Sequence, residues 1–265
     1  MSHLSVYDYI VIAFYLVFMF SLGPVYKGFS KTASDYFRGG GGMLWWLVGS
    51  SSFMVTFSAW SFTGGAAKAY ETGTFFLLLF ICNIIALLFT YFYTAAKYRQ
   101  MRIITAVEAG RKRYGKSNEQ IFTWLQILSF MIFGGVWLYS ISIFMSGAFG
   151  MPMEYIIIVL GAVVIGMTLI GGSWAATAGD FIQMLVVLTI TIMMAILVLM
   201  DPQVGGFSGL IEKLPERHFD WTQFERPGII IFFAVTLLVN QTMQMNSMTI
   251  GAARYVFVKN GSDAK

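Results

Sequence analysis

Residues 43–70, MLWWLVGSSSFMVTFSAWSFTGGAAKAY, are long enough to cross a membrane, yet they are polar where a spanning helix should be most apolar. Ser50, Ser51, Ser52, Thr56, Ser58, Ser61 and Thr63 crowd the centre, and Gly64-Gly65 follow. Hydrocarbon offers no partner to a backbone N–H or C=O, so a span is interrupted only where protein or a wet cavity receives it. The segment therefore predicts a helix broken in its middle, with a cavity beside the break. One hydroxyl bonding back to its own helix would be ordinary. Seven in one window, followed by two glycines, point to a site.

The remainder of the chain sets the medium. Hydrophobic residues make up 57% of the 265, charged residues only 11%, and mean hydropathy is +0.71. A hydrocarbon core of about 30 Å needs about 20 apolar residues per helix. Seven segments qualify, at roughly 5–25, 43–70, 74–96, 119–149, 153–172, 178–200 and 228–252. Together they fill most of the chain and predict a single transmembrane domain, an all-α polytopic membrane protein. The alternation in ~10-residue stretches expected of a transmembrane barrel is missing. The first segment follows only Met1, Ser2, His3 and Leu4, with no basic n-region and no Ala-x-Ala pattern, so it is expected to stay as a span.

Charge orients these spans. With the N-terminus outside, the loops placed in the cytoplasm hold Lys27, Lys31 and Arg38, then Lys97, Arg99, Arg102, Arg111, Lys112, Arg113 and Lys116, then Arg254, Lys259 and Lys265. Lys68, Lys213, Arg217 and Arg226 fall on the other side, so the positive-inside rule supports a multi-pass protein of the cell membrane with its N-terminus outside. The net charge of +4 faces anionic headgroups in this reading, not nucleic acid.

The loops contain two decoys. Gly39–Gly42 lack the strand and Lys-Ser/Thr of a phosphate cradle and are expected to form a flexible hinge. Gly110, Gly115, Lys116 and Ser117 match the P-loop spacing, but a spanning helix precedes them. An amphipathic connector with Ile103, Ile104, Ala106 and Val107 toward the membrane is the better reading. Residues 171–180, GGSWAATAGD, look like a small-residue linker. Residues 201–227 form the one sizeable polar loop outside, with a short helix expected at 207–214.

The last span changes character midway. After an apolar start come Asn240, Gln241, Thr242, Gln244, Asn246, Ser247 and Thr249. Amides in hydrocarbon need partners, so this helix is expected to face a cavity and to unwind, as the second member of a broken pair. Such pairs hold ion and solute sites near the bilayer midplane. Asp180, with Gln183 one turn on, is the carboxylate best placed on an ion path, although an acid near a helix N-terminus is also simply favourable. Lys68 and Glu71 read as a solvated pair, and Trp45 and Trp46 as interfacial belt residues. His3, His218 and the single Cys82 show no metal-ligand or disulfide pattern. No nucleophile–base pair suggests an enzyme.

Several motifs together resemble the sodium/solute symporter family. They are Asp35-Tyr36-Phe37, Leu44-Trp45-Trp46, Ser58-Ala59-Trp60-Ser61-Phe62-Thr63-Gly64, Tyr70-x-x-Gly73, Ile104-Thr105, Arg113-Tyr114-Gly115 and Asp180-Phe181-Ile182-Gln183. The resemblance implies an inverted-repeat transporter fold with broken helices. It assigns 1–42 to an extra N-terminal helix and loop, 43–200 to the first repeat, 201–227 to an external loop and 228–265 to the start of the second repeat. It implies sodium as coupling ion, held by the backbone carbonyls of Met54 and Phe57. Ser58, Trp60, Ser61 and Asn240 are implied as solute-binding positions, and Asp180 with Gln183 as the intracellular ion pathway. Ser61 stands where sugar carriers have Gln, which favours an amino-acid or carboxylate solute. The chain stops just after the first helix of the second repeat, so the C-terminal half of the transporter is expected as a missing partner, beside the solute and the bilayer. An alternative is the symporter-like membrane domain of a sensor kinase.

Overall fold

A computed structural model describes residues 5–62, 64–220, 227–247 and 251–265. Thr63, Arg226, Thr249 and His3, singled out above, lie outside these residues. Among the described residues the chain is helical, and the only strand-like feature is one bridge between Met43 and Val258.

The first helix, α1 (Val6–Tyr26), starts where Ser5 and Asp8 cap each other's backbone N–H. A short α2 (Ala33–Arg38) is capped the same way by Thr32 and Asp35. The broken helix follows as α3 (Trp45–Thr56), α4 (Ala59–Phe62) and α5 (Gly64–Thr72). Then come α6 (Leu77–Phe89), a π-turn at Thr90–Thr94, α7 (Ala95–Gln100), α8 (Ala106–Tyr114) and α9 (Lys116–Phe149). The remainder is α10 (Met153–Met200), α11 (Gly206–Lys213), α12 (Pro227–Met245) and α13 (Ala252–Tyr255).

Five helical runs are long and apolar enough to cross a membrane, and Met153–Met200 is 48 residues long. At 1.5 Å per residue that is about 72 Å, more than twice the hydrocarbon thickness. It is folded at Gly172, whose φ of 60° and ψ of −151° are open to glycine and almost nothing else. The expected linker at 171–180 is therefore a one-residue elbow, and its small residues pack instead of looping. Gly64–Gln100 turns similarly at Gly73, φ 60°. The glycine run before α3 is also not a free hinge, since Gly39, Gly40 and Gly41 form a defined left-handed turn.

Packing rests on small residues and close backbones, as in other membrane bundles. A Cβ on Gly23 of α1 would lie 3.0 Å from the Met167 carbonyl of α10. Along the other seam, α12 lies on α6 and on the turn before it, where the Phe75 and Phe233 rings are 5.7 Å apart. Large apolar side chains point outward, among them Met131 at 70% and Phe232 at 74% exposure. That is the pattern of a lipid-facing surface.

At the end bearing most of the basic residues, Met43, Val48, Ala95, Ile103, Val256, Phe257, Val258 and Ala264 form a buried cluster. Arg99 holds it from outside, donating Nε to the Val258 carbonyl at 2.6 Å and Nη2 to Lys259 at 3.1 Å. Ile103 is thus 1% exposed and not turned to the membrane, because the 251–265 segment folds back over it. Gly110 lies within helix α8 and Lys116 opens α9, so the P-loop spacing forms no phosphate-binding loop.

Candidate functional site

The break falls at Phe57 and Ser58. Helix α3 stops at Thr56, and Phe57 is extended at φ −89°, ψ 130°. A helix end leaves its last four carbonyls without intrahelical donors. Here Phe57 N–H closes onto the Met54 carbonyl at 3.0 Å, and the Thr56 hydroxyl onto Phe53 at 2.9 Å. On the far side, Ser61 N–H donates to the Ser58 carbonyl at 2.9 Å and starts the next turn. Met54, Phe57, Ser58 and Ser61 are therefore gathered at one junction.

The polar window resolves into two kinds of hydroxyl. Ser50 donates to Leu47 at 2.7 Å and Ser52 to Val48 at 3.0 Å, so these serines, like Thr56, are satisfied on their own helix. Ser51 is different. It is 0% exposed and donates across to a carboxylate oxygen of Asp180 on α10. Successive helix positions are 100° apart, and of the three serines it is the middle one that faces the neighbour.

Asp180 has a second partner, 74 residues away in the chain, that no local pattern announces. The Arg254 guanidinium on α13 lies 3.8 Å from the same carboxylate oxygen, with exposures of 16% and 24%. Burial lowers the Arg254 pKa from its ordinary value, and the Asp180 charge opposes that shift. Three elements thus meet in one polar cluster: the first half of the broken helix, the second limb of α10 and the segment after α12. Gln183 does not join it. Its Nε2 donates to the Tyr15 hydroxyl at 3.0 Å, so it faces α1 while Asp180 faces α3. A step of three residues is about 60° round a helix, enough to straddle that groove.

Trp60 is 54% exposed, and its ring occupies the space a side chain at Gly64 would need. Asn240 is exposed on α12 and accepts from Gln244 Nε2 at 2.6 Å on its own helix. The structure does not bring it to the break. Helix α12 stays regular to Met245, then turns at Asn246. There Asn246 Nδ2 donates to Thr90 Oγ1 at 3.1 Å, and the Tyr98 hydroxyl to the Asn246 carbonyl at 2.7 Å. The broken end of α12 is therefore seated on the π-turn, a rare feature that tends to mark functional positions.

A cavity of about 1250 Å³ opens between α8, α9 and the end of α12, lined by Phe122, Phe130, Phe133, Trp137, Gln244 and Ser247. It contains neither the break nor Asp180. At the opposite end of the bundle, His218 packs on the Gly73 turn, where the Thr74 hydroxyl donates to its carbonyl at 2.7 Å. Any Cβ at Gly73 would overlap the His218 backbone. Lys68 and Glu71 pair at 2.6 Å in the open, as expected.

Comparisons with known proteins agree with this architecture. The model of the sodium:solute symporter family matches residues 36–251. The chain is 35% identical over 127 residues to the sodium/sialic acid symporter SiaT of Proteus mirabilis, covering 48% of this chain and 25% of that one. It is 31% identical over 223 residues to sodium/myo-inositol cotransporter 2 of Bos taurus, covering 78% and 31%. Against the sodium/glucose cotransporter of Vibrio parahaemolyticus it is 27% identical over 186 residues, covering 68% and 34%. The fold matches a substrate-bound, outward-open Na+-coupled sialic acid symporter with a TM-score of 0.77 at 23% identity, over 97% of this chain and 54% of that chain. The chain spans about a quarter to a third of the curated relatives it matches.

Proposed function

The chain belongs to the sodium:solute symporter family, and from that premise we propose that it serves sodium-coupled symport of a small organic solute by alternating access. The observation that carries the reading is the break at Phe57-Ser58, about 9 Å along α3 from the Ser51 that joins the Ser51–Asp180–Arg254 cluster. In this reading α1 is the extra N-terminal helix, 43–200 the first inverted repeat and 228–265 the opening of the second. The N-terminus lies outside a cell membrane.

Sodium would sit at the C-terminal end of α3, where the helix dipole is negative. The Met54 carbonyl keeps a second lone pair beside its Phe57 N–H. The extended backbone of Phe57 takes its own carbonyl out of the helical register. Carbonyl and hydroxyl oxygens are the hard donors that such a cation prefers. Further donors would come from a second repeat, in a longer chain or a separate one. An ion bridging the junction would bias the arrangement of the two half-helices, and solute affinity would follow. That coupling is a difference in affinity between two states and works in both directions.

The named relatives carry sialic acid, myo-inositol and glucose. Ser61 replaces the Gln of sugar carriers, so a solute bearing a carboxylate fits this chain better. Ser58, Trp60 and Ser61 are its proposed contacts at the break, with Asn240 joining them from α12 only as the helices rearrange; Asp180, with Gln183 on the α1 side of the same helix, is the proposed ion route. The test is uptake of labelled sialic acid, proline, myo-inositol and glucose into proteoliposomes holding this chain together with the second repeat that completes it, with a sodium gradient or with choline. Sodium-dependent uptake of one of them is expected. Ser58→Ala and Asp180→Asn should each raise half-saturating sodium about tenfold, equal to ~1.4 kcal/mol. Unchanged sodium affinity in both would overturn this placement.

A further inference from the structure

The motif Asp35-Tyr36-Phe37 lies far from the break, and nothing so far gives it work. Its place in the fold does. Where α10 bends at Gly172 the first limb ends, and the carbonyls in the last turn of a helix are the ones that call for outside donors. Three of them are met by one loop. The Tyr36 hydroxyl is shared between the carbonyls of Thr168 and Leu169, at 3.2 Å each. The Ser30 hydroxyl donates to Gly171 at 3.0 Å. The fit is close, since a Cβ on Gly172 would stand 2.8 Å from the Tyr36 carbonyl oxygen and 2.9 Å from its ring.

The same stretch grips the second limb too. The Tyr26 ring stacks on Trp174 at 6.5 Å and 4°, and the Phe29 ring lies 5.6 Å from it. Farther along that limb α1 continues the contact, with Met19 against Gly179 and the Tyr15 hydroxyl on Gln183. One short loop and the helix before it thus splint both arms of the elbow. Asp35 serves the same end locally, since it caps the helix that presents Tyr36.

We propose that Tyr36, assisted by Ser30, is a positioning residue that sets the angle of the α10 elbow and thereby holds Asp180 against Ser51 and Arg254. Asp180 lies eight residues beyond Gly172, about 12 Å along the helix. A tilt of about 10° at the elbow would move it by about 2 Å at that distance, enough to break its bond to Ser51. The extra N-terminal helix is then part of the ion-route machinery and not only an anchor. This consequence rests on Asp180 lying on the ion route; the positioning itself does not.

The test uses the full chain in membranes, with Cys82→Ala and either of two reporter pairs. Ser51→Cys with Asp180→Cys reads the cluster, and Thr90→Cys with Asn246→Cys reads an unrelated seam. Tyr36→Phe removes the shared hydrogen bond and keeps the ring. It should slow oxidative cross-linking of the first pair about fivefold, the population change one ordinary hydrogen bond commands, and leave the second pair within twofold. In the chain with native Ser51 and Asp180, hydrogen exchange over residues 173–180 should speed up by a similar factor. An unchanged first pair with unchanged exchange would overturn the proposal, and so would equal slowing of both pairs, which would mean general loosening. If the parent chain, supplied with its second repeat, binds no radioactive sodium and Tyr36→Phe still alters the first pair, the positioning stands and the transport reading falls.

Discussion

Neutralising both Asp180 and Arg254 should destabilise the fold by clearly less than the two single losses combined. The pair is separated by 3.8 Å, too far for a charge-assisted hydrogen bond, so its attraction is Coulombic. At an effective dielectric near 20 that attraction is about 4 kcal/mol. Both side chains are mostly buried, so much of it offsets the cost of removing two charges from water. Removing one leaves the other buried and unpaired. Arg254→Gln should therefore cost about 2–4 kcal/mol, and Asp180→Asn a similar amount. The amide of Asn can still accept from Ser51, so Asp180→Asn isolates the charge. Ser51→Ala isolates the hydrogen bond, at about 1.5–3 kcal/mol for one made to an ionised group. The double variant Asp180→Asn/Arg254→Gln should lose at least ~1.5 kcal/mol less than the two single losses combined. The assay is a double-mutant cycle by reversible unfolding of the purified full chain in mixed micelles. Single effects that add within ~0.5 kcal/mol, the margin usual for independent sites, would refute the reasoning, because the two charges would then not be sensing each other.

Other expectations follow from neighbouring geometry. Ser58→Ala should raise half-saturating sodium, whereas Ser52→Ala, whose hydroxyl is spent on the Val48 carbonyl, should leave it within twofold; equal effects would mean the break has no special role. Gly73→Ala must adopt a positive φ and overlap the His218 backbone, so it should cost more than the ~1–2 kcal/mol of the backbone term alone. It should also speed hydrogen exchange over 214–220, and unchanged exchange there would count against the docking of that loop. Lys68→Ala should change stability by less than ~0.5 kcal/mol, as expected of an exposed pair; thermal unfolding would show a larger value at once.

The spans and the break were legible because each depends on local chemistry. Apolar length fixes where helices can cross, and a polar centre in hydrocarbon needs an enclosure. The elbow was not legible, because the small residues of 171–180 suit a loop and a tightly packed helix equally well. Only the positive φ of Gly172 and the backbones pressed against it separate the two readings. Ile103 misled for a related reason. An apolar residue in a loop beside a membrane reads as facing lipid, and here the 251–265 segment covers it. The partner of Asp180 was hidden by distance in sequence, since Arg254 looked like one more cytoplasmic charge. Among three consecutive serines, which one meets α10 depends on how α3 is rotated about its axis, and a helix with no pronounced apolar face does not disclose that.

The elbow of α10 also imposes an order on synthesis. Ser30 precedes the carbonyl it caps by 141 residues, and Tyr36 precedes Thr168 by 132. At about 5–20 residues per second these donors wait roughly 7–28 s before their acceptors exist. The opposite delay does not arise. By the time Gly172 leaves the ribosome, α1 and its loop are already made, and the bend can close onto a finished surface. A nascent chain halted once Gly172 and the limb beyond it have left the ribosome should therefore already hold the elbow, whereas one made without its first thirty-six residues should reach the same length with those carbonyls lacking the Ser30 and Tyr36 hydroxyls.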